Sequence, residues 1–313
     1  MKKLILVAAI AAATTVGSVN AATIYEGKGL TYKLKGDWQV QLRDNASKTK
    51  DAEVEFDDLE LKNSVTYDLG NGLKAFGQLD FGFKDAAEDK QSGSKLEEAY
   101  LGLDFGMAAV AVGKQNNAAD EFGVEGAYEH AVSEDAFDAA GQTDGDDVIR
   151  LDVATDNFTL VTSTELEAEG ENSAGNASFE VFAATSVGGV ELAAAYQTID
   201  QTAGDVDSWG LSAATKLGSV ALAADYSSRD TGSVDLDTYN VVAKFKASKT
   251  TTFALGLTEE ETSATTDATQ IYANVTYKFP AQKNVSVFAE ISDIDEDGKD
   301  LDLDILAGMR IKF

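Results

Sequence analysis

Hydrophobic and polar residues alternate along most of this chain with a period of two. Leu30, Tyr32, Leu34, Gly36, Trp38, Val40 and Leu42 interleave with Thr31, Lys33, Lys35, Asp37, Gln39, Gln41 and Arg43. The same pattern closes the chain, where Leu301, Leu303, Ile305, Ala307, Met309, Ile311 and Phe313 alternate with Asp302, Asp304, Leu306, Gly308, Arg310 and Lys312. That spacing separates two faces of a β-strand. It predicts sixteen strands: Leu30–Arg43, Asp57–Leu69, Leu73–Lys84, Lys95–Phe105, Met107–Gln115, Asp147–Ala154, Phe158–Leu166, Asn176–Ser186, Val190–Asp200, Asp207–Lys216, Val220–Arg229, Leu236–Ala247, Thr250–Thr258, Asp267–Phe279, Lys283–Ile294 and Leu301–Phe313. Two of them resist the pattern. Lys114 shares parity with Val110 and Val112, which calls for a bulge or a strand end beyond the apolar band, and Phe158–Leu166 has little contrast between its faces.

Short turns such as Gly70-Asn71-Gly72 and Val187-Gly188-Gly189 alternate with long acidic connections, the longest being Asn116 to Asp146. Strands of ten or eleven residues at about 45° of tilt span an apolar band of ~25 Å. An even number of such strands, with short turns at one end and long loops at the other, predicts an all-β fold: a transmembrane antiparallel up-and-down β-barrel. Tyr and Phe near strand ends suit aromatic girdles.

The N-terminus agrees with export. Met1-Lys2-Lys3, the apolar run Leu4 to Ala13 and Val19-Asn20-Ala21 read as a cleaved signal peptide over 1–21, leaving 22–313 as one barrel domain in the outer membrane. Composition excludes much else. The chain has no Cys, so it has neither disulfides nor thiolate metal sites. It carries one Pro and 27 Gly, which leaves strands unbroken and turns well supplied. A formal charge of −29 repels nucleic acid.

Beyond alternation, this chain resembles the general porins of Gram-negative bacteria. The resemblance rests on Ala22-Thr23-Ile24-Tyr25-Glu26, the Asp68 to Ala75 hairpin, Ala99-Tyr100-Leu101-Gly102-Leu103, Gly113-Lys114-Gln115 before the longest loop, Ile149-Arg150 after it, and Phe313. It implies a homotrimer whose third loop folds into the pore, facing basic wall residues across a constriction. It also implies contact with lipid and lipopolysaccharide, and an assembly signal in the last strand ending at Phe313.

The longest loop carries Asp120, Glu121, Glu125, Glu129, Glu134, Asp135, Asp138, Asp144 and Asp146 and no Lys or Arg. In a narrow low-dielectric passage such carboxylates concentrate cations. Asp120 and Glu121, beside Phe122-Gly123, resemble the family's loop-tip acids. Lys114 fills the family's basic position after Gly, and Arg43, Lys62 and Arg150 have a parity that permits an inward position. The sequence departs from the family where Arg is usual before Leu-Gly-Phe: it reads Asp58-Leu59-Glu60-Leu61, and Asp37 also stands where a basic residue is common. Asp37, Asp58, Asp120, Glu121, Glu125 and Glu129 are therefore the candidate constriction acids, and the expectation is a cation-selective diffusion pore for small hydrophilic solutes and ions.

Rival readings have less material. His130 is the only histidine, and no Gly-x-Ser-x-Gly elbow is present, so an enzyme is not expected. Asp293, Asp295, Asp297, Gly298 and Asp304 match a calcium loop in part but lack its final Glu. No cofactor or dedicated metal site is expected, only loose divalent binding by loop acids. A channel for a dedicated sugar or organic solute would use an aromatic slide; Phe76 and Tyr100 are inward by parity but isolated. A structural or adhesive surface barrel is a further alternative. Ala193-Ala194-Ala195 is flat enough for a trimer flank.

Overall fold

The computed structural model describes residues 21–49, 51–88, 90, 93–124, 126–167, 176–263 and 267–313. Residues 1–20 of the expected leader and Glu125 lie outside the described residues. The strands are β1 (Ala22–Gly27), β2 (Leu30–Asp44), β3 (Glu53–Gly70), β4 (Leu73–Gly82), β5 (Lys95–Asp104), β6 (Ala108–Asn116), β7 (Asp144–Ala154), β8 (Phe158–Glu165), β9 (Ser178–Val187), β10 (Val190–Ile199), β11 (Val206–Leu217), β12 (Val220–Asp230), β13 (Asp235–Lys246), β14 (Thr251–Thr262), β15 (Ala268–Phe279), β16 (Gln282–Glu296) and β17 (Asp304–Lys312). From β2 to β17 each strand pairs antiparallel with the next, and β17 pairs with β2. The result is a closed sixteen-stranded barrel in which each of β2 to β17 is paired on both sides, which is how backbone polar groups stay satisfied in lipid.

The alternation has the predicted sense. On β2, Trp38, Val40 and Leu42 are exposed, while Asp37, Gln39 and Gln41 are buried. An exposed apolar face on a closed sheet is an outer, lipid-compatible surface, and the polar face is the inner one.

Three sequence expectations are corrected. The alternation at the C-terminus runs three residues beyond the strand: β17 starts at Asp304, and Asp302 leaves the wall, its N–H donating to the Ala46 carbonyl oxygen at 2.9 Å. The N-terminal residues 22–27 form a strand the pattern did not show. β1 pairs with the Leu30–Leu34 half of β2, on the edge whose other half pairs with β17. Between them, Phe313 exchanges both backbone hydrogen bonds with Gly36, at 2.7 and 3.0 Å. Short edge segments of this kind hold by register against a neighbour rather than by their own face contrast. Finally, Ala193 and Ala195 are buried under a loop on the inner face, so they supply no flat outer flank.

Lys114 keeps the parity of Val110 and Val112 and lies two residues from the end of β6 at Asn116, so the strand-end alternative holds, and the bulge beside it is on the facing strand. The β6–β7 register shifts between Gly113 and Gln115, and Gly113 has φ 125°. A Cβ there would strike the Ala99 carbonyl oxygen, so the position requires glycine. The extra residue is on β7, where Asp146 and Asp147 oppose Lys114 alone; β6 itself keeps plain alternation, with Val110 and Val112 outward, Gln115 inward and buried, and Lys114 near the strand end.

Candidate functional site

The connection between β6 and β7, residues 117–143, contains a short 3-10 turn (Ala119–Glu121) and a helix, α1 (Ala136–Ala140). Asp135 caps α1 by accepting from the N–H groups of Phe137 and Asp138 at 2.7 and 3.1 Å, and Gly141 ends it in a left-handed turn. The connection is held to the inner face of the wall by polar side chains of many strands, most of them uncharged. Ser163 accepts from the Ala118 N–H at 2.7 Å and Ser227 from the Ala136 N–H at 2.9 Å. Asn240, Gln270 and Asn274 donate to the carbonyl oxygens of Glu134, Glu129 and Gly126 at 2.6, 2.9 and 2.7 Å. Glu290 accepts from the N–H of Tyr128 at 2.8 Å.

Apolar packing completes the seat. Ala118, Ala119, Phe122, Val124 and Phe137 meet Val161, Phe182, Ala184, Ala193, Ala195, Ala214, Ala223 and Val242 in one buried cluster. Phe122 and Phe137 pack edge to face, centroids 5.1 Å apart, and Tyr128 stacks on Phe288 at 3.9 Å. This cluster is why Phe158–Leu166 showed weak contrast: Val161 on β8 faces inward, yet it meets a phenyl-lined segment and not water. Phe76 and Tyr100 are not isolated either, since their rings meet edge to face at 6.3 Å.

The segment covers β8 to β16. The opposite stretch of wall, β2 to β7 with β17, carries the charges. Arg43 meets Asp304 at 2.7 Å, Glu129 of the connection at 2.8 Å and Glu55 at 3.7 Å. Lys62 meets Asp80 at 2.8 Å and Glu98 at 3.0 Å. Arg150 meets Asp152 at 2.9 Å, bonds Glu121 of the connection, and donates to the carbonyl oxygens of Asn116 and Asn117, each at 3.1 Å. Arg310 bonds Asp37 at 2.7 Å and also Asp58, and Lys312 reaches Asp37 at 2.7 Å.

Each sequence candidate among the described residues thus has a place. Glu121 and Glu129 are on the connection and touch the basic wall directly, at Arg150 and Arg43. Asp120 is exposed and accepts from Asn116 Nδ2 at 2.6 Å. Crowding by the surrounding protein pushes its carboxyl up to about 7, against the hydrogen bond from Asn116. Lys114 lies 3.8 Å from Asp144. Asp37 and Asp58 sit on the wall with Arg310, apart from the connection. The sequence reading did not single out Glu55, Asp80, Glu98 and Asp152, which pair with the predicted basic residues; their signal was inward parity on β3, β4, β5 and β7. The partial calcium loop does not form: Asp293 and Asp295 are exposed on β16, while Asp304 is buried and bonded to Arg43.

His130 lies on the same connection, and neither ring nitrogen has a hydrogen-bond partner. Glu134 is 3.9 Å from Nε2 and Tyr272 packs edge to face at 6.2 Å. Burial, with Lys244 adding repulsion, brings its pKa down to about 4.

Comparison with known proteins places this arrangement. The sequence model described as Gram-negative porin matches residues 7–299. A porin-like protein H of Photobacterium profundum is 30% identical over 151 residues, 48% of this chain and 43% of that protein. A monosaccharide porin of a Halomonas species is 24% identical over 221 residues, 64% of this chain and 60% of that protein. This chain therefore spans about half the length of the curated relatives it matches. Among solved structures, the trimer form of in-vitro folded OmpT from Vibrio cholerae superposes with a TM-score of 0.76 at 16% identity, over 91% of this chain and 100% of that one. An anion-selective porin from Comamonas acidovorans gives 0.75 at 15% identity, with the same coverage.

Proposed function

This chain belongs to the Gram-negative porin family, and from that premise we propose that it forms an outer-membrane diffusion channel that passes small hydrophilic solutes and favours cations. The observation that carries the selectivity is the stoichiometry of the charged wall. Arg43 is met by three carboxylates, Lys62 by two and Arg150 by two, while Arg310 and Lys312 are balanced by Asp37 and Asp58. Carboxylates thus outnumber bases over the wall as a whole, so the water-filled space beside it sits in a negative potential that concentrates cations and depletes anions.

The connection 117–143 acts as the constriction. Its backbone is seated on β8 to β16, and its carboxylates Glu121 and Glu129 reach the charged wall, which leaves the passage bordered by Asp120 on one side and β2 to β7 on the other. Diffusion by size and charge requires no reaction and no cofactor. The barrel fold alone does not set the sign of selectivity, since one structural neighbour is an anion-selective porin; the fixed charges do. The trimeric neighbour supports a homotrimer, the leader over 1–21 supports export, and the exposed apolar band supports contact with outer-membrane lipid and lipopolysaccharide.

Reversal potential in a planar bilayer across a KCl gradient tests the reading. Its sign should report a larger permeability for K+ than for Cl−, and the opposite sign removes the proposal. The Halomonas relative called a monosaccharide porin motivates a second arm: conductance unaffected by glucose supports a general pore, while a saturable block favours a sugar channel with the Phe76–Tyr100 pair as its contact.

A further inference from the structure

Glu60 on β3, Asp80 on β4 and Glu97 on β5 bring one carboxylate oxygen each to within 4.8 Å of one another. They line an inner-wall cavity of about 260 Å³. Two local features make this convergence. The β4–β5 register shifts between Asp80 and Phe81, where Asp80 pairs with Glu98 and Phe81 with Leu96. Glu97 is the extra residue of that bulge, so consecutive Glu97 and Glu98 both serve the cavity wall, whereas a regular strand sends neighbours to opposite faces. Across from it stands Gly82, and a Cβ there would overlap the Glu97 carboxylate. The bare backbone leaves room for Glu97 to lie inward.

The charges of this cluster are only partly met. Asp80 is 2% exposed, its Oδ2 accepts from Lys62 at 2.8 Å, and its Oδ1 has no hydrogen-bond partner. Lys62 also serves Glu98 at 3.0 Å, and neither Glu60 nor Glu97 makes a hydrogen bond or ion pair among the described residues. A buried carboxylate oxygen without a partner is costly unless something cationic or a donor meets it.

We propose that this cavity is a binding site for one divalent cation, Ca2+ in preference to Mg2+, held by Glu60, Asp80 Oδ1 and Glu97 with water completing the shell. Ca2+ accepts carboxylate oxygens in a flexible shell of varied geometry, whereas Mg2+ demands near-ideal octahedral geometry, keeps several of its waters and is usually bound through only one or two carboxylates. Three carboxylates converging from three strands suit the larger ion.

Titration calorimetry of the folded full chain with Ca2+ tests the site. One site per chain is expected, with Mg2+ binding more weakly, and Glu60→Gln combined with Glu97→Gln should weaken Ca2+ binding roughly tenfold or more, because ligand charge sets affinity. Asp300→Asn, at an exposed carboxylate outside the cavity, should leave it unchanged. Equal Ca2+ binding by the natural chain and the double variant overturns the site. Should that variant fail to fold, Mn2+ soaked into crystals of the natural chain decides by anomalous scattering: a peak among the three carboxylates supports the site, and its absence there overturns it. The site does not rest on the channel's selectivity. Reversal potentials measured in EDTA test that reading separately, so a chain that binds Ca2+ here but prefers anions keeps the site and loses the selectivity.

Discussion

Glu129 is the residue on which the constriction most directly depends, because it joins the connection to the wall through Arg43 at 2.8 Å and Gln41 at 2.5 Å. Replacing it by Gln keeps the shape and removes one negative charge. A unit charge about 10 Å from an ion's path is worth roughly 0.4 to 1.7 kcal/mol between the water and protein limits of effective dielectric, so Glu129→Gln should lower the K+/Cl− permeability ratio a few-fold, read from the reversal potential. Asp120 makes selectivity depend on pH. Its folded pKa, about 7, lies above the ordinary carboxylate value, so the group is neutral below pH 6 and charged above pH 8. Cation preference should rise across that window, and Asp120→Asn should abolish the step. The same shift favours the folded state where the carboxyl is protonated, a contribution lost as pH rises from about 4 to about 7. His130 works in the other direction. Its folded pKa, about 4, lies below the unfolded value, so the stability of the neutral ring is present above about pH 6.5 and lost as pH falls toward 4. His130→Phe, which keeps a ring against Tyr272 without titrating, should make the connection more resistant to protease at pH 5 than it is in the natural chain.

The connection 117–143 behaves as an element with its own small core. Phe137 is fully buried between Phe122 and the inner wall, and Phe137→Ala removes a phenyl group whose loss costs about 3–5 kcal/mol in a well-packed site. That cost falls on the seat and not on the strand ladders, so the expected result is a nickable connection in limited proteolysis with the barrel's strand content unchanged by circular dichroism. Strands were legible to different degrees for a physical reason. β2 and β17 separate lipid from water, and their alternation announced them. β8 separates lipid from protein: Val161 meets this connection within an otherwise polar inner face of Thr159, Ser163 and Glu165, and Thr162 and Thr164 interrupt the outer face, so both faces are mixed and the contrast weakens. β1 has six residues and is held by register alone. The inner polar residues also divide by kind in the main: Ser163, Gln197, Ser208, Ser227, Asn240, Gln270 and Asn274 are neutral where they bond the connection, with Glu290, Glu260 and Arg229 as charged exceptions, while the ion-paired residues concentrate on the wall it leaves uncovered. Parity indicated that these positions face inward, but it did not indicate which of them meet backbone and which meet water.

For the molecule as a whole, closure is the step that makes a barrel of a sheet, and it occurs where Phe313 bonds Gly36 and packs edge to face on Trp38 at 5.2 Å. Deleting Phe313 removes the last ladder bonds where the chain end closes against β2. Folded protein in the outer membrane, followed by heat-modifiable gel mobility, should fall while surviving channels keep their single-channel conductance. The sequence by itself determined the sixteen strands of the closed wall, the two faces, the short and long ends, and the excess of carboxylates, because period-two alternation is a property of order along the chain and net charge one of its composition. Pairing between distant positions is not. That Glu121 touches Arg150, that Glu129 touches Arg43, that Asp37 and Asp58 share Arg310, and that a bulge gathers Glu97 toward Glu60 and Asp80 all depend on strand tilt, register and the path of one connection across the inner face. These are three-dimensional distances, set by ladder hydrogen bonds between residues up to hundreds of positions apart, and only the closed barrel decides them.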